Sequence, residues 1–308
     1  MVEIVVAYIL DVFIGDPLKF PHPIRWIGNL IAKLEPRFRG TFTSLRVAGF
    51  FFSLTIILLV FFTAQLILYI TLIAHPIFYS MTCILMIFYC FSIKSLADSA
   101  QAVYICLKES TIDDARKALS MIVGRDTKEL EEREIVRATV ETVSENSVDG
   151  FISPLFYAML GGPAFALTYK AINTLDSMVG YKNEKYVDFG WASARMDDIA
   201  NYIPARISVF IIAFASLIYN YAFIAVIKSG FIYGRCHTSP NSGFPEASFA
   251  GSLKVQLGGS SRYNGKLVEK PLIGEEGGTM TCSVIKDTNR LLFWVSFVSI
   301  TFCLIISA

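Results

Sequence analysis

The stretch VAGFFFSLTIILLVFFTAQLILYITLI, residues 47–73, decides the fold class of this chain. It contains no Asp, Glu, Lys or Arg. At about 1.5 Å of rise per residue, it exceeds the roughly 20 residues that a helix needs to cross a bilayer. The sequence therefore predicts a transmembrane helix here.

The composition of the whole chain points to the same solvent. Hydrophobic residues make up 54% of the 308 residues, and the mean hydropathy is +0.53. The 27 basic and 26 acidic residues nearly cancel, whereas a protein that binds nucleic acid is expected to carry a basic surplus on one face. We therefore expect a lipid bilayer as the main partner and no nucleic acid.

Further uncharged runs predict additional spans. Residues 77–93, 207–227 and 291–308 are uncharged and close to spanning length. Residues 151–169 are uncharged too, but prolines and glycines interrupt them, so this run either spans as a kinked helix or re-enters the membrane. We predict an all-α polytopic integral membrane protein with four or five transmembrane helices.

The basic residues predict an orientation. Residues 74–76 form a short uncharged link, whereas residues 19–46 carry six Lys or Arg side chains. The positive-inside rule places residues 19–46 in the cytoplasm, together with the region that follows the next span. The protein is thus expected in the cell membrane, with its polar site facing the cytoplasm.

The chain is interpreted as one membrane-embedded domain, residues 1–308, with two polar regions. Residues 94–150 are predicted to form a cytoplasmic helical insert, and residues 228–290 a polar loop region rich in Lys and Arg. Two residue pairs in the insert have capping-box spacing: Thr111 with Asp114, and Asp126 with Glu129.

Residues 141–206 place carboxylates, amides and guanidinium groups around the interrupted apolar run. Ionisable groups at membrane depth are costly and usually line a cavity with a function. Four carboxylates are candidate metal ligands: Glu145, Asp176, Asp197 and Asp198. Mg²⁺ prefers one or two carboxylates with phosphate oxygens, so one pair would suffice. The alternative for Asp197 and Asp198 is a solvated pair at a helix end.

Two arginines are candidate phosphate ligands, because guanidinium is always charged and binds phosphate bidentately. They are Arg195 and Arg206, although Arg206 at a membrane entry could instead extend to lipid headgroups. Residues 259–267, GSSRYNGKL, lack Walker A spacing but offer glycines and cations to phosphate. A plain flexible turn is the alternative for this loop.

The N-terminal segment GDPLKFPHPIR, residues 15–25, carries turn residues and a rigid Pro-His-Pro link. Proline fixes the backbone, so Asp16, His22 and Arg25 are expected on a stiff loop that closes over a cytoplasmic cavity. A lone histidine is usually structural, and that alternative stays open for His22.

Three blocks of sequence together resemble one known family. They are DVFIGDPLKFPHPIRWIGNLI (11–31), ETVSENSVDGFISPLFYAMLGG (141–162) with NTLDSMVGYKNEKYVDFGWASARMDDIANYIPAR (173–206), and HTSPNSGFPEASFAG (237–251) with GKLVEKPLIG (265–274). These blocks are similar to the adenosylcobinamide-phosphate synthase family of cobalamin biosynthesis. The resemblance covers most of the chain.

The resemblance implies an ATP-dependent ligase that uses Mg²⁺. Such enzymes join a propionate carboxyl of adenosylcobyric acid to (R)-1-aminopropan-2-ol O-phosphate, or a related amino alcohol, giving adenosylcobinamide phosphate. It implies catalytic roles for Glu145, Asp176 and Asp198. It implies a set of polar substrate-binding residues: Asp16, His22, Arg25, Asn146, Asn173, Lys182, Asn183, Arg195, Arg206, His237, Asn241, Glu246, Lys266 and Lys270.

Two other functional classes stay open. A transporter would also use a broken helix and buried charges, but its sequence should contain an inverted repeat, and none is apparent. A non-catalytic membrane scaffold for corrinoid enzymes would not need so many acid, amide and arginine side chains. Both a homo-oligomer and association with other late corrin-pathway enzymes are compatible with the sequence.

Overall fold

The structure is a computed structural model that describes residues 1–16, 21–219, 223–263 and 265–307. The described residues are 76% helical with almost no sheet. Helices satisfy their backbone hydrogen bonds within one segment, which lipid demands. The predicted all-α fold class is confirmed. Pro17 of the predicted N-terminal loop and Asn264 of the glycine-rich loop lie outside the described residues.

The helices follow one another along the described chain. They are α1 (Val2–Ile14), α2 (Pro23–Thr41), α3 (Leu45–Ala74), α4 (Pro76–Phe88), α5 (Ile93–Glu109), α6 (Ile112–Ser120), α7 (Glu132–Ser147), α8 (Ser153–Val179), α9 (Trp191–Ala200), α10 (Tyr202–Ser216), α11 (Phe223–Tyr233), α12 (Gly243–Leu253) and α13 (Ser283–Ser307). A π-helical turn, Val148–Ile152, joins α7 to α8.

Short strands form two antiparallel pairs between α12 and α13. Strand β1 (Leu257–Gly258) pairs with β4 (Leu272–Ile273), and β2 (Ser261–Tyr263) pairs with β3 (Lys266–Val268). We call residues 257–274 the glycine hairpin, because Gly258, Gly259, Gly265 and Gly274 in it have positive φ angles. The region predicted as polar loop, residues 228–290, thus also contains a helix and this hairpin.

Among the described residues, four helical stretches are long and apolar enough to cross a membrane, judged by length and composition. They are Leu45–Ala74, Pro76–Glu109, Glu132–Val179 and Ser283–Ser307. The pair Trp191–Ala200 and Tyr202–Ser216, bent by 42°, adds a fifth if it counts as one span. The predicted number of four or five is confirmed.

Two of the predicted spans are interrupted. Helix α8 breaks at Gly161 and Gly162, where Gly162 has φ 72° and Pro163 follows, so residues 151–169 belong to a broken helix. Only glycine adopts this left-handed conformation without strain. The predicted run 207–227 is divided, because α10 ends at Ser216 and tightens into a 3₁₀ turn. Residues 220–222 of this run lie outside the described chain.

The chain divides into two compact units. Unit 1 consists of Met1–Ser92 and Asp149–Asn201, and unit 2 consists of Ile93–Val148 and Tyr202–Ala308. Most of the predicted insert therefore belongs to the same unit as the 228–290 region. The assignment of residues 1–308 to one functional domain stays a prediction.

Each unit has its own core. In unit 1, α3 packs on α2, α4, α8 and α9, and Gly49 lies so close to the backbone of Phe189 that an added Cβ would be 1.8 Å from its carbonyl oxygen. In unit 2, α12 packs on α7, α10 and α11. Helices α8 and α9 of unit 1 and α7 and α12 of unit 2 carry several polar side chains of the candidate site.

Candidate functional site

Unit 1 contains two carboxylates that are joined by one amide. Asn173 Nδ2 donates to Asp149 Oδ2 at 3.2 Å and to Asp197 Oδ1 at 3.3 Å. Asn201 Nδ2 donates to Asp197 Oδ2 at 3.1 Å. We call these four residues the amide-bridged cluster. Both carboxylates and Asn173 are only half-buried, so a ligand from solvent can reach them.

Buried hydrogen bonds beneath this cluster fix the orientation of the Asn201 side chain. Asn201 Oδ1 accepts hydrogen bonds from Ser153 Oγ at 2.6 Å and from the Tyr169 hydroxyl at 2.9 Å. All three side chains are buried. The two hydroxyl donors decide which end of the Asn201 amide is the oxygen, and a satisfied buried network of this kind is rigid. The Asn201 nitrogen is therefore directed at Asp197.

The backbone around Asp149 is unusual for a helix. Asp149 lies in the π-helical turn Val148–Ile152, and such turns occur frequently at functional sites. Ser92 N donates to Gly150 O at 3.0 Å, and a Cβ on Gly150 would lie 2.2 Å from Ser92 Oγ. Lys170 Nζ donates to Asp149 O at 3.3 Å. The backbone of the turn is thus held in place by Ser92 and Lys170.

The structure separates the predicted aspartates of unit 1. Asp197 belongs to the amide-bridged cluster, whereas Asp198 pairs with Arg195 at 3.2 Å and the Arg195 side chain is 63% exposed. Asp176 lies near the end of α8, where its Oδ1 would be 1.9 Å from a Cβ on Gly180. In the described residues, no group of three or more His, Cys, Asp and Glu side chains is arranged to hold a metal ion. A metal in unit 1 would therefore use a pair.

The other predicted residues of unit 1 lie in turns and at helix ends. His22 caps α2, because its Nδ1 accepts from Ile24 N at 3.3 Å while its Nε2 lies 3.2 Å from Asp16 Oδ1. Asn183 Oδ1 accepts from Tyr186 N at 3.1 Å in the turn before α9. Arg25 and Lys182 are exposed. These contacts explain the local backbone and leave a substrate role for the five residues as a prediction.

In unit 2, a buried carboxylate attaches the glycine hairpin to α7. Glu141 Oε2 accepts from Arg125 Nη2 at 2.5 Å, and Glu141 Oε1 accepts from Gly258 N at 2.8 Å. The side chains of Glu141 and Arg125 are 7% and 8% exposed. Arg137 Nε lies 4.0 Å from Glu141 Oε1. We call Arg125, Glu141 and Gly258 the hairpin clamp. Its charge is compensated within the protein.

A buried carboxyl group, Glu246, and a buried imidazole, His237, lie beside the hairpin clamp. His237 Nε2 is 3.8 Å from Glu246 Oε1, and the side chains are 5% and 6% exposed. His237 Nδ1 accepts from Ser239 N at 3.0 Å, so a neutral ring carries its proton on Nε2. That Nε2 has no hydrogen-bond partner in the described residues. Ser242 Oγ donates to Glu145 Oε1 at 2.8 Å.

The electrostatics of this pair favour its neutral forms. Burial, together with the charges of Glu141 and Glu145, raises the pKa of Glu246 well above its ordinary value. Burial, together with the charge of Lys270, lowers the pKa of His237. These shifts favour the carboxylic acid form of Glu246 and the uncharged imidazole of His237.

The remaining predicted residues of unit 2 differ in their engagement. Arg206 stacks over Tyr202 and Phe244 at 3.4 and 4.4 Å and donates to Asn241 Oδ1 at 3.2 Å. Asn146 donates to Thr142 O, one helical turn earlier. Lys266 in β3 is exposed. The contacts of Arg206 are those of a packing residue at a helix start, and its predicted phosphate contact remains untested.

A cavity of about 720 Å³ lies between the turn before α7 and the glycine hairpin. Cations and acids both line it, including Arg125, Lys128, Glu129 and Arg262. The predicted capping box of Asp126 and Glu129 is wrong. Asp126 Oδ2 accepts from Gly265 N at 2.7 Å, and Glu129 Oε2 pairs with Arg262 at 2.8 Å, so both residues hold the hairpin instead.

Sequence reasoning missed four side chains of these clusters as site residues: Asp149, Asn201, Arg125 and Glu141. Glu141, Glu145 and Asp149 share one stripe at helical spacing, and this was the available signal for two of them. Asn201 gave no such signal, because a single amide near a helix end is common in any fold.

Comparisons with known proteins agree in one direction. The family described as CobD/Cbib protein matches residues 4–292. The chain is 46% identical to cobalamin biosynthesis protein CobD of Clostridium perfringens, over 99% of this chain and 98% of that protein. It is 43% identical to cobalamin biosynthesis protein CobD of Streptococcus sanguinis, over 95% and 93%. It is 42% identical to cobalamin biosynthesis protein CbiB of Salmonella typhi, over 94% and 92%. No solved structure matches.

Proposed function

Because the chain belongs to the CobD/CbiB family of cobalamin biosynthesis, we propose that it is the membrane-embedded ligase of that pathway, an adenosylcobinamide-phosphate synthase. The substrates would be adenosylcobyric acid, ATP and (R)-1-aminopropan-2-ol O-phosphate or a related amino alcohol. The product is adenosylcobinamide phosphate. The reaction would take place at the cytoplasmic face of the cell membrane, consistent with the basic residues of 19–46.

The chemistry explains why a nucleotide is needed. A carboxylate does not react with an amine at neutral pH, so its oxygen must first be made a leaving group. We propose that a propionate oxygen attacks the γ-phosphorus of ATP, releasing ADP and forming an acyl phosphate. The amine nitrogen then attacks the acyl carbon, phosphate leaves, and the nitrogen loses its extra proton.

The amide-bridged cluster carries this proposal. Asp149 and Asp197 share the Asn173 amide and keep half-buried oxygens. One or two carboxylates, completed by water and phosphate oxygens, are what Mg²⁺ prefers, so the residues present fit this ion. When bound, Mg²⁺ would neutralise charge on the transferring phosphoryl group.

The protein side chains would orient the carboxylates. Asn173 holds both acids at a common nitrogen, and Asn201 holds the second oxygen of Asp197 from the buried side. The carboxylates therefore do not rearrange when a cation arrives, which is the condition for strong electrostatic stabilisation of a transition state.

Near-isosteric substitutions test this site in the purified, detergent-solubilised protein. Asp197→Asn and Asp149→Asn are each expected to lower turnover by about 100-fold or more, because each removes a charge that faces the cation. ADP release and mass-spectrometric detection of the amide product report the activity. Asp188→Asn is the matched control, since Asp188 forms an exposed ion pair with Arg46.

The outcomes separate the proposals. Parent protein that forms no amide from the three substrates would contradict the ligase function. Parent protein that forms the amide, with both variants near parent turnover, would move the metal site away from the amide-bridged cluster. Corrinoid uptake into vesicles without amide formation would favour a transporter.

A further inference from the structure

Unit 2 contains a buried hydrogen-bond donor that lacks an acceptor. Nε2 of His237 carries the ring proton, because Nδ1 is occupied by the backbone N–H of Ser239. The nitrogen is buried and has no hydrogen-bond partner in the described residues. Leaving such a donor unpaired costs free energy, and native proteins rarely do so. A group that accepts from this nitrogen is therefore expected when the site is in use.

Acidic groups surround this donor. Glu246 Oε1 lies 3.8 Å from His237 Nε2, beyond hydrogen-bond distance. Glu141 and Glu145, both on α7, act on Glu246 with their negative charge. Glu141 is neutralised by Arg125 in the hairpin clamp, whereas Glu145 contacts a serine hydroxyl and is half-buried. Glu145 and Glu246 thus place two carboxyl groups near His237.

A further positive charge stands beside the acids. Lys270, just before β4, acts electrostatically on both His237 and Glu246. An anionic group of a ligand would find this ammonium as its partner. The cluster therefore offers the carboxyl groups of Glu145 and Glu246 to a cationic group. It offers the His237 N–H to an oxygen atom and the Lys270 ammonium to an anionic group.

We propose that Glu145, Glu246, His237 and Lys270 bind the amine substrate as a vicinal amino-alcohol phosphate, with Glu246 as the base that deprotonates its ammonium group. This inference rests on the proposed ligase function. The carboxylates contact the ammonium, the His237 Nε2–H donates to the neighbouring ester oxygen, and Lys270 contacts the phosphate.

The proton balance is simple. Arrival of the ammonium favours the ionised form of Glu246, whose own proton leaves to solvent. One N–H bond of the ammonium then breaks, and its proton goes to the Glu246 carboxylate. The electron pair left on nitrogen attacks the activated acyl carbon. A base with a raised pKa is well matched to this task, because it takes a proton from an amine more readily than an ordinary carboxylate does.

The sign of the pH dependence follows from the groups around Glu246. Glu141 and Glu145 from α7 raise its pKa, while Lys270 and Arg125 oppose them, and His237 lies across from it. The base must be ionised to act, so the rate with an ammonium substrate should rise as pH increases through the raised pKa of Glu246. Glu246→Gln should lose this rising limb.

The sharpest test compares two nucleophiles. (R)-1-Aminopropan-2-ol O-phosphate is an ammonium at neutral pH, whereas an alkoxyamine phosphate of similar length is already unprotonated. Glu246→Gln is expected to lower kcat/KM for the ammonium substrate about 100-fold and to change the rate with the alkoxyamine only a few-fold. Glu132→Gln, an exposed position at the start of α7, is the control.

A second variant, Glu145→Gln, tests the inference even if Glu246→Gln misfolds. Glu145 is half-buried, so Glu145→Gln should fold, and it should raise KM for the amine while leaving KM for ATP near that of the parent. Calorimetric titration of the amine alone into parent and Glu145→Gln protein measures the same site without turnover. Weaker binding by the variant supports the inference.

The results distinguish this inference from the function it rests on. If the parent forms no amide with either nucleophile, the ligase function fails. If the parent forms amides but Glu246→Gln loses both nucleophiles equally, Glu246 is not the base. If Glu145→Gln binds the amine as the parent does, the binding site lies elsewhere.

Discussion

The hairpin clamp and the amide-bridged cluster hold their carboxylates in different ways. In the hairpin clamp, a buried carboxylate meets a guanidinium and a backbone N–H, so its charge is matched inside the protein. In the amide-bridged cluster, two half-buried carboxylates accept hydrogen bonds from neutral amides. Amide donors fix the position of a carboxylate without cancelling its charge. The first arrangement therefore builds structure, and we propose that the second keeps charge available for a ligand.

This contrast has consequences for what each substitution should do. Removing one member of a compensated pair leaves the other charge buried and unpaired, which mainly affects stability. Removing an amide that orients a carboxylate mainly affects the ligand. The two clusters are thus distinguished by the quantity that changes.

The largest expected effect is on stability, from Glu141→Gln. The substitution leaves the Arg125 guanidinium, whose side chain is 8% exposed, without its charged partner, and we expect a loss of about 3–5 kcal/mol. Thermal unfolding in detergent measures it. The double variant Glu141→Leu with Arg125→Met should recover most of the loss, since it removes both charges. A single variant that unfolds at the parent temperature would show that the clamp is not structural.

A smaller effect is expected from Asn173→Ala, and it should appear in Mg²⁺ dependence. Without the bridging amide the two carboxylates lose their common donor, and substitutions that disturb the orientation of ligands typically cost about 10–100-fold in metal affinity or activity. The measurement is the Mg²⁺ concentration that gives half-maximal ATP turnover. Ser177→Ala, one turn later on the same helix, is the control. An unchanged Mg²⁺ requirement would show that the Asn173 amide does not orient ligands of the metal.

Much of the fold was accessible from the sequence because hydrophobicity dominates it. An uncharged run of 27 residues, 47–73, has few alternatives to a transmembrane helix, and α3 contains it. The predicted capping box of Thr111 and Asp114 is confirmed at the start of α6. The division of 207–227 was not accessible, because an apolar run carries no mark of where helical turns tighten.

The site was accessible only in part, because sequence spacing reports neighbours on one helix and not partners from distant segments. Asn173 and Asp197 were predicted together and meet through one hydrogen bond. The role of Asn201 depends on Ser153 and Tyr169, which approach it from another helix. Asp126 has the spacing of a helix cap, yet it bonds the hairpin at Gly265, 139 positions away. Long-range contacts of this kind override local patterns.

The smallest expected effect tests whether the ATP phosphates bind near the amide-bridged cluster or at the glycine hairpin. Arg195 lies two positions before Asp197, is 63% exposed and contacts Asp198 through one nitrogen. If it contacts phosphate, Arg195→Lys keeps the charge but loses the bidentate geometry. We expect a rise of about fivefold in KM for ATP or the phosphorylated amine, the size typical of an exposed ionic contact. Corrinoid binding should stay near parent. Arg46→Lys, in another exposed ion pair of unit 1, is the control, and steady-state kinetics with each substrate varied in turn is the measurement.

If Arg195→Lys matches the parent for every substrate, Arg195 only pairs with Asp198. The glycine hairpin, with Arg262 and Lys266, then becomes the better phosphate site, and Arg262→Lys should raise the KM instead.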